Sequence, residues 1–183
     1  MVIWVIIGIV ALIAVIFIAY FNRFVRLSQQ VDNALSQIDV QLKKRADLVP
    51  NLLEAVKGYM KHERKIIKEV TEARKALVLA KTPEKKMKAG AKLQSALKSI
   101  FALAENYPNL KANQNFIQLQ EELSAIEDKI AYARQYYNDG IMTYNVMTET
   151  FPGRFFANLY GFKKKEYLKI PEEEKAVPKL KFD

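Results

Sequence analysis

The first 21 residues constrain the fold more than any other part of this chain. They read MVIWVIIGIVALIAVIFIAYF; 20 of them are apolar, Gly8 is the exception, and the first charged residue is Arg23. A helix of that length extends about 31 Å, which matches the roughly 30 Å hydrocarbon core of a bilayer. The run therefore predicts a transmembrane anchor over residues 1–22.

The alternative for this run is a cleaved secretory signal, which has basic residues first, a shorter apolar core and a small-residue cleavage site. No basic residue precedes this core, so we expect a retained anchor. Aromatic and basic side chains favour the two membrane interfaces, and the basic flank favours the cytoplasm. We therefore predict an outside N-terminus and a cytoplasmic remainder. The predicted interface residues are Trp4, Tyr20, Arg23 and Arg26.

The composition after the anchor is that of long helices, since Lys, Glu, Ala, Leu and Ile dominate. Cysteine is absent, which excludes disulfides and thiolate metal sites. The prediction is an all-α fold with one transmembrane helix followed by an up-and-down, coiled-coil-like bundle of four helices. The predicted parts are the anchor at 1–22, the bundle at 23–151, and an aromatic and basic tail at 152–183.

Apolar residues from Val31 to Leu77 lie three and four positions apart in one heptad phase, with Arg45 and Glu63 as polar interruptions, which indicates a packed helix seam. Pro50 interrupts this seam, because its ring clashes with the preceding helical turn. Either one helix is kinked there, or the helix breaks near Ala46 and Asp47 caps a new helix with Pro50 in its first turn. Of these, the break is favoured.

The most regular seam runs from Phe116 to Phe151 and predicts a helix from about Asn113 to Thr150. Gly140 lies on it and predicts a close backbone approach or a local bend. The predicted helix-packing residues are Phe116, Leu123, Ile130, Tyr137, Gly140 and Tyr144. The polar residues on or beside the seams, expected to fix register by pairing inside the bundle, are Arg45, Arg134, Asn138 and Asn145.

Three local signals mark helix ends. Thr82-Pro83-Glu84 predicts the start of a helix that runs to about Glu105, and Asn106–Asn109 predicts a turn or loop. Phe151-Pro152-Gly153 stops the long helix. The aromatic tail that follows packs either over one end of the bundle or at the lipid interface, and residues 169–183 are expected to be extended.

Basic residues are concentrated between Lys57 and Lys98, with 13 Lys or Arg against four acidic residues. They form a solvated helix face, or a surface for anionic lipid or an acidic partner. Nucleic acid is not expected, because the run lacks interleaved aromatic residues and any recognition motif. The residues of this possible partner face are Lys61, Arg64, Lys65, Lys68 and Lys75.

No catalytic or cofactor-binding pattern is present in the sequence. A carboxylate-bridged metal centre in a bundle needs paired Glu-x-x-His motifs, and His62 is the only histidine. With one histidine and no cysteine, nucleophilic catalysis has no support either. We therefore expect no enzyme activity, no cofactor and no metal site.

Many ordered stretches resemble the LemA family of bacterial and archaeal membrane proteins. They include Ser36–Arg45, Asp47–Leu52, Val56–Tyr59, His62-Glu63, Tyr107–Ala112, Asn115-Phe116, Ala133-Arg134, Tyr137-Asn138, Tyr144-Asn145, Phe151-Pro152, Gly161-Phe162 and Val177–Lys179. The resemblance implies one N-terminal span and a helical bundle, without an established enzyme activity. Leu35, where tryptophan is common, and Lys164–Leu168 depart from the family pattern.

The resemblance also bears on function, because magnetosome membrane proteins are similar and genes for membrane metalloproteases often accompany the family. We therefore expect a membrane-anchored scaffold that self-associates as a homo-oligomer and organises the membrane or its proteins. The alternative is an adaptor that recruits an acidic partner or substrate to a membrane complex such as a quality-control protease. The expected partners are the lipid bilayer, further copies of the chain and a membrane protein.

Overall fold

The computed structural model describes residues 1–60 and 62–168. Within them the backbone forms six helices and no strand, which confirms the predicted all-α class. Four helices have 16 residues or more, and the other two are short. In chain order they are α1 (Val2–Lys57), α2 (Arg64–Leu79), α3 (Pro83–Ala104), α4 (Pro108–Lys111), α5 (Gln114–Glu149) and α6 (Gly153–Tyr160).

The helices form two compact units, and α1 and α5 each contribute a segment to both. The anchor unit comprises Met1–Ser36 and Arg134–Leu168. Among the described residues, the bundle unit comprises Gln37–Ala133. The domain boundaries predicted at residues 22 and 151 mark instead the ends of the membrane anchor and of the last long helix. They stay a prediction.

Within the described residues, α1 is the one helix long and apolar enough to cross a membrane. None of its most apolar stretch is buried in the protein. A helix that leaves so many large aliphatic side chains exposed requires an apolar surrounding, because each such side chain costs about 1.5–3 kcal/mol in water relative to burial. The N-terminal part of α1 is therefore a candidate transmembrane helix.

The favoured break near Ala46 is wrong, because α1 continues through Pro50 to Lys57. A proline leaves the carbonyl four residues earlier without its helical donor. That carbonyl belongs to the buried Ala46, and the Arg74 Nε of α2 donates to it at 2.8 Å. The guanidinium thus replaces the bond that proline removes, and the helix does not need to end.

We expect Arg74→Met to lower the free energy of unfolding by about 1–2 kcal/mol, because it removes the donor to a buried carbonyl. In a Pro50→Ala background the same change is expected to cost much less, because alanine restores the main-chain N–H. Urea unfolding of the full chain in micelles, followed by circular dichroism, measures this cycle. The control is Lys75→Met, an exposed neighbour. An equal cost in both backgrounds would show that Arg74 and Pro50 are not coupled.

In the bundle unit the predicted helix ends are largely confirmed. Thr82 caps α3 by accepting from the Lys85 N–H at 3.3 Å, and Pro83 is the first helical residue. The helix ends at Ala104, one residue before the predicted end. The predicted turn at Asn106–Asn109 is only partly correct, because α4 begins at Pro108, where proline suits a first helical turn. The unit's fully buried side chains include Leu52, Met60, Leu93, Leu97, Ile100 and Leu110.

The anchor unit is built from the first part of α1, the second part of α5, and α6. The bounds of α5 agree with the predicted helix, and its last residue is Glu149, just before Pro152. Gly140 is buried, and a Cβ placed there would lie 3.3 Å from the Val31 Cγ2. This is a close approach between α5 and α1. The core cluster of the unit consists of Phe24, Tyr144, Met147, Phe156 and Ala157.

Candidate membrane-contacting site

Aromatic side chains of the tail pack against the end of the apolar run in α1. Phe156 of α6 is 6% exposed and stacks on Tyr20 with ring centroids 4.3 Å apart. Phe162 stacks on the fully buried Phe24 at 4.8 Å. One face of α6 therefore covers the turn of α1 that leaves the predicted membrane span.

Two further contacts reach deeper into the apolar run. The Tyr160 hydroxyl donates to the main-chain carbonyl of Phe17 at 2.9 Å. The ring of Phe155 lies edge-on to the Phe17 ring, with centroids 6.4 Å apart. Since a phenol needs a hydrogen-bond partner where water is scarce, the bond of Tyr160 suits an apolar surrounding.

Two glycines allow α6 to take its position. A Cβ on Gly153 would lie 2.1 Å from the Met147 main-chain oxygen, so the turn after α5 requires glycine. The preceding Phe151–Pro152 peptide bond is cis. Gly161 ends α6 in the left-handed region at φ 76°, and this lets the Phe162 N–H bond to the Ala157 carbonyl at 2.9 Å.

Two asparagines of α5 hold the segment after α6. Asn145 donates to the Lys165 carbonyl and accepts from the Lys165 N–H, both at 2.9 Å. Asn138 does the same with Leu168, at 3.4 and 3.1 Å. Seven helical residues and three extended residues both span about 10 Å, so the two pairs are in register. Each amide thus satisfies both main-chain groups of one tail residue.

The side chain of Lys165 forms a second set of bonds to α1. Its Nζ donates to the Ser28 hydroxyl at 2.9 Å and to the Asp32 carboxylate at 3.2 Å. It also lies 5.4 Å from the centre of the Tyr144 ring, a cation–π geometry. Burial raises the pKa of the Tyr144 phenol, and the charge of Asp32 raises it further. Tyr137 has a raised pKa for the same two reasons, so both phenols stay neutral at physiological pH.

A groove of about 370 Å³ opens on the same unit. Its lining includes Tyr20 and Arg23 of α1, Met142 and Val146 of α5, and the exposed Phe151. The groove is mostly apolar and carries one guanidinium. Such a surface suits an acyl chain or an apolar side chain.

The four residues predicted at the membrane interface lie on α1. Trp4 is exposed near the N-terminus of the helix, and Tyr20 is half-buried beneath Phe156. Arg23 and Arg26 are exposed after the apolar run, and the Arg26 Nε donates to the Asn22 carbonyl at 3.4 Å. Their contact with lipid stays a prediction.

The polar residues predicted inside the bundle have different surroundings. Arg45 is 2% exposed, donates to the Gly90 carbonyl at 3.4 Å, and forms an ion pair with Glu127, which is 28% exposed. Asn145 is buried and Asn138 is half-buried, and both hold the tail segment. Arg134 is half-buried.

The residues of the possible partner face are exposed where the structure describes them. Arg64, Lys65, Lys68 and Lys75 lie on α2, whereas Lys61 lies outside the described residues, as do residues 169–183 of the predicted tail. Of the predicted helix-packing residues, Tyr137 is half-buried, and the buried ones are Phe116, Leu123, Ile130, Gly140 and Tyr144.

Across residues 1–60 and 62–168, no group of three or more His, Cys, Asp or Glu side chains is arranged to hold a metal ion. The buried side chains of Arg45 and Asn145 each bond to another element of the same unit.

Two residues that position α6 and the tail, Lys165 and Gly153, were not predicted from the sequence. Lys165 was one lysine in a run of three, and only its neighbours Lys163 and Lys164 are exposed. We call the pairing of Asn138 and Asn145 with the main chain of Leu168 and Lys165 the clasp. The signal that points to it is the spacing of the two asparagines, which places both amides on one helix face. Gly153 was interpreted only as a helix stop, although its position directly after Pro152 marks a tight turn.

Comparisons with known proteins find relatives that are similar to this sequence over most of its length. Magnetosome protein MamQ 2 of Paramagnetospirillum magneticum is 27% identical over 188 residues, covering 88% of this chain and 69% of that protein. MamQ of Magnetospirillum gryphiswaldense has the same identity and coverage. Protein LemA of Metamycoplasma hominis is 26% identical over 139 residues, covering 74% of this chain and 63% of that protein.

None of these three relatives carries the name of an enzyme. The model of the LemA family matches residues 34–182, which is most of the sequence and includes α2 to α6. The resemblance inferred from short motifs is thus confirmed by a match along the bundle and the tail. This chain belongs to the LemA family.

Proposed function

We propose that this protein is a membrane-anchored, non-catalytic helical scaffold that self-associates and organises the membrane or its proteins. The observation that carries the proposal is the continuity of α1. Its first part is apolar and unburied, and later residues of the same helix, such as Phe24 and Leu52, are fully buried in packed cores. The names of the magnetosome and LemA relatives support a membrane-associated role.

The proposed orientation places the N-terminus outside the cell and the bundle in the cytoplasm. Arg23 and Arg26 directly follow the apolar run and are exposed, and basic flanks favour the cytoplasmic side. A protease added to intact spheroplasts is expected to remove an N-terminal epitope and to leave the bundle uncut. Cleavage of the bundle in that assay would reverse the orientation.

Self-association is proposed to use the exposed apolar side of α5 in the anchor unit. Met142 and Val146 are about half exposed and lie one helical turn apart beside the groove. A second copy would bury these side chains together with the groove's apolar lining. Two partly exposed side chains supply about 1–2 kcal/mol at such an interface.

Native mass spectrometry of the full chain in detergent tests this proposal. The wild type is expected to form oligomers, and Met142→Gln with Val146→Gln is expected to weaken association about tenfold. The matched control is Ser124→Gln with Asp128→Gln, an exposed pair at the same spacing on α5. A wild type that stays monomeric at high protein concentration would overturn the scaffold proposal.

A second candidate function is the adaptor that binds an acidic partner. The favouring observation is that Arg64, Lys65, Lys68 and Lys75 are all exposed on α2. Charge reversal at these four positions should abolish salt-sensitive binding to immobilised polyglutamate, whereas reversal at the exposed Lys43 and Lys44 should not. Equal binding by both variants would exclude the α2 surface.

A further inference from the structure

We propose that the outer face of α6 is a second membrane-contacting surface, which inserts into the bilayer that α1 spans. This inference rests on the proposed anchor. It concerns a different element, more than 130 residues along the chain, and gives the protein an interfacial helix as well as a span.

The first observation is that α6 is apolar on two opposite faces. Its inner face, with Phe156 and Ala157, is buried against the anchor unit. On its outer face Phe155 is 55% exposed and Leu159 is 54% exposed, one turn apart. A helix with apolar residues on both sides needs an apolar environment on the side that the protein leaves open.

The second observation fixes the depth of α6. Its Tyr160 hydroxyl is bonded to the Phe17 carbonyl, and the Phe155 ring contacts the Phe17 ring. Phe17 lies six residues before Arg23, the first charge after the apolar run, and this is about 9 Å along a helix. A membrane-surface helix buries its apolar face about 5–10 Å into the boundary between headgroups and acyl chains. If α1 spans the bilayer, Phe155 therefore lies at that depth.

The third observation is the pattern of charge around this face. Arg154 lies on α6 beside Phe155 and Lys163 follows the helix, and both are exposed. Lys164 is exposed too, but its Nζ forms an ion pair with Glu149 at 2.6 Å. Exposed cations next to an apolar face are typical of helices that lie on anionic membranes. The occupant that fits the apolar side chains, the cations and the depth together is a lipid bilayer with anionic headgroups.

The chain's single tryptophan, Trp4, provides the test. Full-length Trp4→Phe proteins carrying Phe155→Trp or Leu159→Trp are placed in nanodiscs of phosphatidylcholine and phosphatidylglycerol with brominated acyl chains. We expect the new tryptophan to lose most of its emission, compared with the same nanodiscs without bromine. The matched control is Tyr132→Trp in the same background, an exposed position on α5 that is 21 residues before Gly153, and it is expected to keep its emission.

The unsubstituted protein distinguishes a failure of the anchor from a failure of the inference about α6. If Trp4 of the wild type is not quenched by brominated lipid, α1 does not enter the bilayer and the proposed anchor fails. If Trp4 is quenched but the tryptophans at positions 155 and 159 behave like the control, only the inference about α6 is overturned. Blue-shifted but unquenched emission from these two positions would show that protein, such as a second copy, covers the face, and this also overturns it.

Discussion

Replacing Glu127 with alanine is expected to lower the stability of the bundle unit by about 3 kcal/mol. The partner of Glu127 is Arg45, whose side chain is 2% exposed. Removing the Glu127 carboxylate costs more free energy than removing the Arg45 guanidinium. The first change leaves a buried cation without that carboxylate, and the cation keeps its desolvation penalty. Glu127 itself is 28% exposed, so Arg45→Met should be the milder of the two changes.

Hydrogen exchange of the full chain in nanodiscs, read peptide by peptide, measures this loss in the bundle unit alone. Protection is expected to fall about a hundredfold in Glu127→Ala and to be partly recovered in Arg45→Met with Glu127→Leu, in which both charges are gone. Glu121→Ala, an exposed site on the same helix, is the control. If Arg45→Met lowers protection more than Glu127→Ala does, the prediction is wrong, because a buried guanidinium that has lost its carboxylate would not be the larger cost.

Replacing Gly153 with alanine is expected to displace α6 at a cost of about 3 kcal/mol, the upper part of the range for overpacking. The added Cβ would lie 2.1 Å from the Met147 main-chain oxygen. A main-chain carbonyl at the end of α5 cannot rotate away as a side chain does, so the turn itself must shift. Phe156 would then leave its position on Tyr20.

The loss of this docking is measured by proteolysis after Arg154 and by hydrogen exchange in α6, both of which should increase strongly. Gly58→Ala is the control, since a Cβ there meets no atom within 4 Å. The outcome that would contradict the prediction is unchanged protection of α6 in Gly153→Ala. That result would mean that the turn between α5 and α6 relaxes at little cost.

Local sequence signals were sufficient for most of the fold. The apolar run, the cap at Thr82 with Pro83, and the seam from Phe116 to Phe151 each depend on neighbours within a few residues. For that reason, the candidate span, the start of α3 and the bounds of α5 could be predicted from the sequence. The family resemblance depended on the same short motifs.

The contacts that could not be predicted from the sequence join residues that lie far apart in the chain. The helix continues past Pro50 because Arg74, 28 residues from Ala46, supplies a donor. Lys165 reaches Asp32 over 133 residues, so nothing in its neighbours distinguished it from Lys163 and Lys164. The candidate site was predicted only in outline, because the packing of α6 on α1 joins residues such as Tyr160 and Phe17, which are 143 positions apart.

The clasp between α5 and the tail determines which substitutions and deletions the tail segment tolerates. The side-chain amides of Asn138 and Asn145 bond to main-chain groups of Leu168 and Lys165, so these bonds depend on the length of the tail segment and not on its side chains. Exchanges at Glu166 and Tyr167 are therefore expected to leave both hydrogen-bonded pairs intact. Losing a single residue between them shortens the segment by about 3.3 Å, and then only one amide at a time can hold its partner. The spacing of Asn138 and Asn145 along α5 thus fixes the length of the tail segment between Lys165 and Leu168.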